Sequence, residues 1–455
     1  MKVMFVSLGC DKNLVDSQKM MGVLRGREGA YTFTDEPGEA EAAVVNTCCF
    51  IDSAKEESIG EILDTAKLKA TGKLKYLVVT GCLAQRYQEE IRKEIPEVDA
   101  VVGTTAEKSL ADILDAVQAG NLKEDAVTAD LDETPDTDTP QVLSLGSTTG
   151  YLKIAEGCNK CCTYCVIPSV RGHYRSVPME EVLEEAKRLA DGGVTELILV
   201  AQETTLYGTD LYGKKMLPEL LRRLCLIRGF HWIRILYCYP EEITKELVQV
   251  VKEEEKVLPY FDMPIQHCND RILKLMGRHT NRKELEEIIA YIRSEIPDAC
   301  LRTSLITGFP TETEEEHKEL LDFVRRMKFD RLGVFAYSRE DGTPASKMKP
   351  QVHPSTKKRR RKELMLAQQE NAFAAAKALV GTLQETVIEG RLVGETADDG
   401  ADVYVGRTKK DIPGVDSNIY VETRRSLLSG DFVPVRVRAA DGYDLIGGIE
   451  DESAE

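Results

Sequence analysis

Cys158, Cys162 and Cys165 stand at C-x3-C-x2-C spacing within residues 156–168 (EGCNKCCTYCVIP). Three thiolates so spaced can hold three irons of a cubane cluster and leave the fourth iron open to a reacting molecule. A structural zinc takes four ligands, and no His or further Cys follows at zinc-finger spacing, so zinc and unligated thiols are the weaker readings. Cys161 is a fourth thiol in this loop. Pairing it with Cys165 repeats C-x3-C, but no Cys completes the pattern, which leaves Cys158 as the first member. A second set is spread along the chain: Leu8-Gly9-Cys10, Asn46-Thr47-Cys48 and Thr80-Gly81-Cys82 share one register at the ends of apolar runs. If those runs are strands of one parallel sheet, their thiols meet at the edge where ligands bind. One small buried Cys per strand is the competing, purely packing account. The shared register favours Cys48 over Cys49. Cys225, Cys238, Cys268 and Cys300 have no paired spacing and are assigned to packing.

The elements that must position these residues change character along the chain. Short β-branched runs at 3–8, 42–45, 76–79 and 100–102, with helical stretches at 53–66 and 84–95, predict a doubly wound parallel sheet over 1–120. Residues 121–147 hold Glu124, Asp125, Asp130, Asp132, Glu133, Asp136 and Asp138 and little that could form a core, so a mobile acidic linker or extended edge segment is expected. From 148 the chain reads as six strand and helix units. Strands are expected at 151–154, 196–201, 232–237, 259–263, 301–306 and 331–337, and helices at 178–191, 217–226, 241–254, 282–296 and 313–327. This predicts a partial (βα)6 TIM-like barrel over 148–378, with its site at the carboxyl ends of the strands. Gln202, Thr204, Tyr237, Tyr239, Gln266, His267, Thr307 and Gly308 fall at those ends. Gly192 and Gly193 read as a helix stop rather than a phosphate cradle. The basic run 357–362 (KKRRRK) opens a connecting helix and reads as a solvated face. Strands at 386–388, 402–405, 418–421 and 432–437 predict a small antiparallel β-barrel over 379–450.

Composition fits a soluble α/β protein of two or three domains. The 455 residues are 42% hydrophobic and 30% charged, with no signal-peptide pattern and no apolar run of spanning length. A cytoplasmic setting is expected, where twelve cysteines point to metal rather than disulfides. Net charge is -17, which disfavours a phosphate backbone and suits a basic protein partner.

The three-Cys first domain, the CNKCCTYC loop and the tail together resemble the methylthiotransferases, radical S-adenosylmethionine (SAM) enzymes that insert a methylthio group at an unactivated C–H bond. The stretches 335–345 (FAYSREDGTPA), 406–416 (GRTKKDIPGVD) and 264–267 (PIQH) place the resemblance in the branch that modifies an aspartate of a ribosomal protein. The resemblance implies two [4Fe-4S] clusters, an auxiliary one on Cys10, Cys48 and Cys82 and a SAM-binding one on Cys158, Cys162 and Cys165. It implies SAM contacts at Gln202, Gln266, Ile306, Gly308 and Glu312, no required role for His173 or His267, and a closing TRAM domain. It further implies the β-carbon of an aspartate in small-subunit protein S twelve as target and an external electron donor such as flavodoxin or ferredoxin. Transfer RNA is the alternative substrate, and a non-enzymatic electron-transfer protein the alternative of a different class. From residue 381 onward sixteen acids face eight bases, a balance of 8 − 16 = −8 that favours a basic protein over phosphate. Asp398, Asp399, Asp402 and Asp416 are expected to meet that partner.

Overall fold

The computed structural model describes residues 1–122, 126–144, 146–397 and 400–450. Its first sheet contains β1 (Lys2–Ser7), β2 (Thr32–Phe33), β3 (Ala42–Thr47), β4 (Tyr76–Thr80), β5 (Ala100–Val102) and β6 (Ala126–Val127). The spatial order is β2-β1-β3-β4-β5-β6, and every pair is parallel. All of β3 is buried. A strand covered by helices on both faces has no polar side, which is why AAVVNT shows no alternation. Helices α1 (Asp11–Arg25), α2 (Asp52–Ala70) and α3 (Gly81–Arg86) leave the carboxyl ends of β1, β3 and β4. The single helix expected over 84–95 is two: α3 and α4 (Gln88–Glu94) are separated by Tyr87, whose φ of −128° and ψ of 40° are not helical.

The described part of 121–147 is the extended edge segment of the two expected forms. It supplies β6 and then runs along α1, where Lys19 Nζ donates to the Thr139 carbonyl at 2.5 Å. A Cβ on Gly22 would lie 2.1 Å from the Pro140 carbonyl oxygen, so α1 carries a glycine where the strap crosses it. Glu124 and Asp125 lie outside the described residues, while Asp132 pairs with His173 and Arg175.

Six further strands form the open barrel: β7 (Thr149–Lys153), β8 (Glu196–Val200), β9 (Trp232–Ile235), β10 (Tyr260–Asp262), β11 (Cys300–Thr307) and β12 (Arg331–Ala336). They pair in parallel as β9-β8-β7 and β10-β11-β12, and a parallel bridge from Ile233 to Val257 joins the halves. Helix Met179–Asp191 stops at Gly192, and Gly193 takes the positive φ of 97° that the turn requires. Thr244, Asn281 and Thr313 each cap the following helix with a side-chain oxygen, which fixes where three of the outer helices begin.

The tail closes into a barrel of β13 (Leu383–Thr396), β14 (Asp402–Thr408), β15 (Ile419–Thr423), β16 (Phe432–Asp441) and β17 (Asp444–Ile449), ordered β13-β14-β15-β17-β16. The fifth strand, β17, was not expected, and its parallel pairing with β15 interrupts an otherwise antiparallel barrel. The loop 406–416 plugs the amino end of the (βα)6 barrel. Arg407 reaches Glu196, the first residue of β8, at 2.6 Å, and Tyr260, the first residue of β10, donates to Asp416 at 2.6 Å. Arg331, the first residue of β12, pairs with Asp411, and Arg234 donates to the Lys409 carbonyl at 3.0 Å.

Two charge expectations are revised by this packing. The Asp416 side chain is 5% exposed and serves the plug, so it is not free for a partner; Asp402 forms a surface pair with Arg391 at 2.5 Å, and Asp398 and Asp399 lie outside the described residues. Counting acids treats each as solvated, whereas several of these compensate arginines at a domain boundary. The run 357–362 is only in part a solvated face: Lys358, Arg359, Arg361 and Lys362 are exposed, but the run also anchors its helix. Arg360 is buried against Glu312 at 2.9 Å, Lys357 donates to the Tyr337 carbonyl at 2.8 Å, and Arg361 donates to the Val334 carbonyl at 2.9 Å, so helix Pro354–Ala378 is held to the barrel by its bases. Among the described residues no helix is long and apolar enough to cross a membrane.

Candidate functional site

Three thiols meet at the carboxyl edge of the first sheet because the turns that carry them are glycine turns. Cys10 is the N-cap of α1, and Gly9 before it has φ of 90°. A Cβ on Gly9 would stand 2.6 Å from the Cys48 Cβ and 3.0 Å from its Sγ, so only glycine lets this turn reach Cys48. Gly81, with φ of 91°, does the same before Cys82: its added Cβ would lie 2.5 Å from the Thr47 carbonyl oxygen. Burial raises the Cys48 thiol, and it pushes Cys82 up to about 11 although Arg171 opposes the shift. Each of these two also feels the charge of Cys10. Cys49 points elsewhere, its Sγ donating to the Cys82 carbonyl at 3.3 Å.

The second set lies in the loop after β7. Its stem is a short antiparallel pairing of Ala155–Glu156 with Arg175–Ser176, and a Cβ on Gly157 would meet the His173 carbonyl oxygen at 2.0 Å. Backbone N–H groups of Lys160 and Ile167 donate to the Sγ atoms of Cys158 and Cys165 at 3.5 and 3.4 Å, and the Tyr239 hydroxyl stands 3.9 Å from Cys162 Sγ. Burial pushes Cys158 up to about 11 and Cys165 higher still, with Cys162 adding to both. Cys161 is exposed, in a left-handed conformation with φ of 50°.

Both sets fit iron–sulfur ligation: they offer two buried thiols and one half-buried thiol each, N–H donors aimed at sulfur and glycine-cleared space around Cys48. Among the described residues no three His, Cys, Asp or Glu stand ready for one metal ion. A tetrahedral zinc with ~2.3 Å bonds needs sulfurs about 3.8 Å apart, and the corners of a cubane are wider than that.

A buried ion network ties the two sets together. Arg171, six residues beyond Cys165, donates through Nε to Cys82 Sγ at 3.3 Å, through Nη2 to Asn13 at 2.6 Å and through Nη1 to Asp16 at 2.6 Å. Lys153 joins Asp16 to Glu156, which stands two residues before Cys158. Burial would raise Glu156, but the charges of Lys153 and Arg171 outweigh it and bring the carboxyl down to about 2. On the opposite side Glu340, from the FAYSREDGTPA stretch, accepts from Lys55 and from Arg86, each at 2.9 Å, and so clasps the first domain to the barrel.

The expected SAM contacts do different jobs. Gln202 donates to Glu156 at 2.5 Å. Gln266 has φ of 70°, and its backbone bonds Ser304 and Ile306 on β11. Ile306 packs in the apolar group that contains Cys162 and Tyr164. A Cβ on Gly308 would collide with Lys357 Cγ at 2.4 Å. Glu312 is engaged internally: its oxygens accept from the N–H groups of Gly308 (2.6 Å) and Phe309 (3.1 Å) and from Arg360. His267 is buried and desolvated to about 3, and His173 is an exposed partner of Asp132.

Two residues that the sequence did not single out stand here. Glu203 is fully buried, raised to about 7 by that burial despite Thr205 and Lys160, and its Oε2 has no partner among the described residues. Arg278 is stacked 4.1 Å from the Tyr239 ring centroid, feels Cys162, and leaves Nε and Nη1 without partners among the described residues. Glu203 lies between two flagged residues, Gln202 and Thr204, so strand-end position was a usable signal for it. Arg278 follows a short helix and had none.

Residues 152–324 match the radical SAM superfamily, residues 2–103 the uncharacterized protein family UPF0004, and residues 380–449 the TRAM domain. The chain is 56% identical over 450 residues to the ribosomal protein uS12 methylthiotransferase RimO of Lachnoclostridium phytofermentans, covering 99% of this chain and 100% of that one. It is 47% identical to the RimO of Clostridioides difficile over 99% of each chain. Among solved structures, the radical SAM methyltransferase TsrM of Kitasatospora setae superposes with a TM-score of 0.55 at 14% identity, over 84% of this chain and 80% of that one, which is a likeness of fold.

Proposed function

The chain belongs to the RimO family of ribosomal protein uS12 methylthiotransferases, and from that premise we propose how the site described above serves the reaction. The enzyme is a radical SAM transferase that uses SAM and a [4Fe-4S] cluster to modify uS12. The target would be the β-carbon of an aspartate, and a second [4Fe-4S] cluster would take part.

Cys158, Cys162 and Cys165 would hold the SAM cluster, and Cys10, Cys48 and Cys82 the auxiliary one, each leaving one iron free. When bound, these groups supply reductive cleavage of SAM to a 5′-deoxyadenosyl radical and a methylated sulfur for transfer. The protein's part is binding and orientation. The amino-acid end of SAM carries one cation and one anion. The buried groups left unmatched near Cys158 and Cys162 include a carboxylate oxygen of Glu203 and a guanidinium edge of Arg278, while Glu241, which also keeps an unmatched oxygen, already pairs with Arg278 and Lys160. Glu203 would take the ammonium and Arg278 the carboxylate. Gln202, Gln266, Ile306 and Gly308 would border the rest of SAM, with Glu312 shaping the Gly308 turn from behind. Cys161, exposed, would be left out of both sets. A flavodoxin or ferredoxin would deliver the electron, in a cytoplasmic setting.

The observation that carries the two-cluster reading is the Arg171 bridge from the end of the radical loop to Cys82. The test is anaerobic reconstitution followed by product mass analysis with a uS12 peptide and a transfer RNA side by side. Cys158→Ala should abolish 5′-deoxyadenosine formation. Cys48→Ala should keep part of it and lose methylthio transfer, and Cys161→Ala should keep the iron of both clusters. Equal loss of both activities in folded Cys158→Ala and Cys48→Ala would overturn the division of labour. Methylthiolation of transfer RNA in place of uS12 would overturn the substrate.

A further inference from the structure

Lys12 is 5% exposed, yet among the described residues no carboxylate pairs with it. Its recorded contact is the face of Tyr237, whose ring centroid lies 3.2 Å from Nζ. A cation over the face of an aromatic ring is attracted by the ring's negative face. That attraction is weaker than the cost of taking an ion out of water, so the ring alone does not balance the charge. Lys12 also sits in the first turn of α1, two residues beyond the N-cap Cys10, where the helix dipole disfavours a cation. Lys12 is thus a largely covered side chain whose ammonium has no anion among the described residues.

The place of that ammonium is as informative as its charge. Tyr237 is held rigidly: its N–H donates to Asp262 at 3.0 Å, its carbonyl accepts from Thr204 at 3.1 Å, and its hydroxyl donates to Asp11 at 3.3 Å. Its φ of 59° is a left-handed conformation that a bulky residue adopts only under constraint. Two residues later Tyr239 stands against Cys162. One short segment after β9 thus sets one ring beside the Cys10 turn and the next beside the radical loop. Lys12 stands against the segment that links the Cys10 turn to the radical loop, and the atom that loses hydrogen and gains sulfur has to reach both.

We propose that Lys12, positioned by Tyr237, is the subsite for the side-chain carboxylate of the target residue. This rests on the methylthiotransferase reading and deepens it, because the β-carbon that reacts is bonded to that carboxylate. The subsite selects an acidic residue over its amide. Lys12 touches substrate, and Tyr237 is a positioning residue.

The test uses the holoenzyme with both clusters reconstituted anaerobically and labelled uS12 peptides bearing either Asp or Asn at the target position. Binding is read by fluorescence anisotropy in the absence of SAM. Wild type should bind the Asp peptide about tenfold more tightly than the Asn peptide, equivalent to about 1.4 kcal/mol. In Lys12→Met the ratio should fall below twofold with the Asn-peptide affinity kept, and in Lys12→Arg much of the preference should remain. A ratio that survives Lys12→Met overturns the proposal. So does a wild-type enzyme that binds both peptides equally, a result that needs no variant to fold or load iron. If Lys12→Met weakens both peptides by the same factor, the ammonium serves the cluster alone, and the proposal also fails. The underlying reaction is judged separately, by whether wild type converts the Asp peptide to a product heavier by a methylthio group.

Discussion

Arg171 directs all its nitrogens into the protein, and its loss would leave two buried carboxylates, Asp16 and Glu156, sharing the single cation of Lys153. Breaking such a pair from one side typically destabilises by 3–5 kcal/mol, so Arg171→Met should lower the thermal unfolding midpoint of the iron-free chain by several degrees. Arg171→Lys keeps a charge but not the fork that reaches Cys82. Hydrogen bonds to cluster sulfur stabilise the reduced form, so the auxiliary potential should fall in that variant while the SAM cluster's does not; redox titration followed by electron paramagnetic resonance checks this. Glu203 gives a pH prediction. Its acid form dominates below about 7, and that form cannot accept an ammonium. SAM affinity should thus be constant at high pH and fall roughly tenfold from pH 8 to pH 6, a slope that Glu203→Gln should abolish in equilibrium dialysis. The two thiol sets were legible in the sequence because their signals, a spacing and a shared register, are linear. Glu203, Arg278 and Lys12 were not, because burial without a partner exists only once the chain is folded.

At the level of elements, the loop 406–416 changes meaning between sequence and structure. Read as text it helps to mark a family branch; folded, it is an internal plug. Arg407→Ala would leave Glu196 with Arg234 alone and Glu389 without its partner at 2.5 Å. The tail should then loosen from the barrel, and limited proteolysis should cut near the end of helix Pro354–Ala378 at least several-fold faster than in wild type. Unchanged cleavage would show that apolar packing alone seats the tail. Barrel strands were readable because each is an apolar run next to a helix of opposite period. β2 and β6 have two residues each and offer no period to read. β17 was hidden by Gly447 and Gly448, which break a strand pattern; a Cβ on Gly447 would lie 2.5 Å from the Arg436 carbonyl oxygen, so the close approach of β16 demands the residue that conceals the strand.

Across the whole molecule, the first domain is fastened to the barrel at two places, by Arg171 with Asp16 and Lys153 on one side and by Glu340 with Lys55 and Arg86 on the other. The domain order was legible from composition and period, but the side of the barrel taken by each domain was not, since that depends on pairs such as Arg407–Glu196 that are 211 residues apart.

The plugged amino end of the barrel also sets a sequence of events. If SAM and the ribosomal protein both enter at the carboxyl ends of the strands, they share one doorway. The small molecule seats deeper, so it has to arrive first, and its fragments have to leave last. Turnover should follow a compulsory order, with excess uS12 peptide trapping methionine and 5′-deoxyadenosine inside and slowing the steady state while the first turnover is untouched. Rapid-quench and steady-state rates compared across peptide concentration would reveal that queue; equal effects on both would mean that SAM has a private entrance.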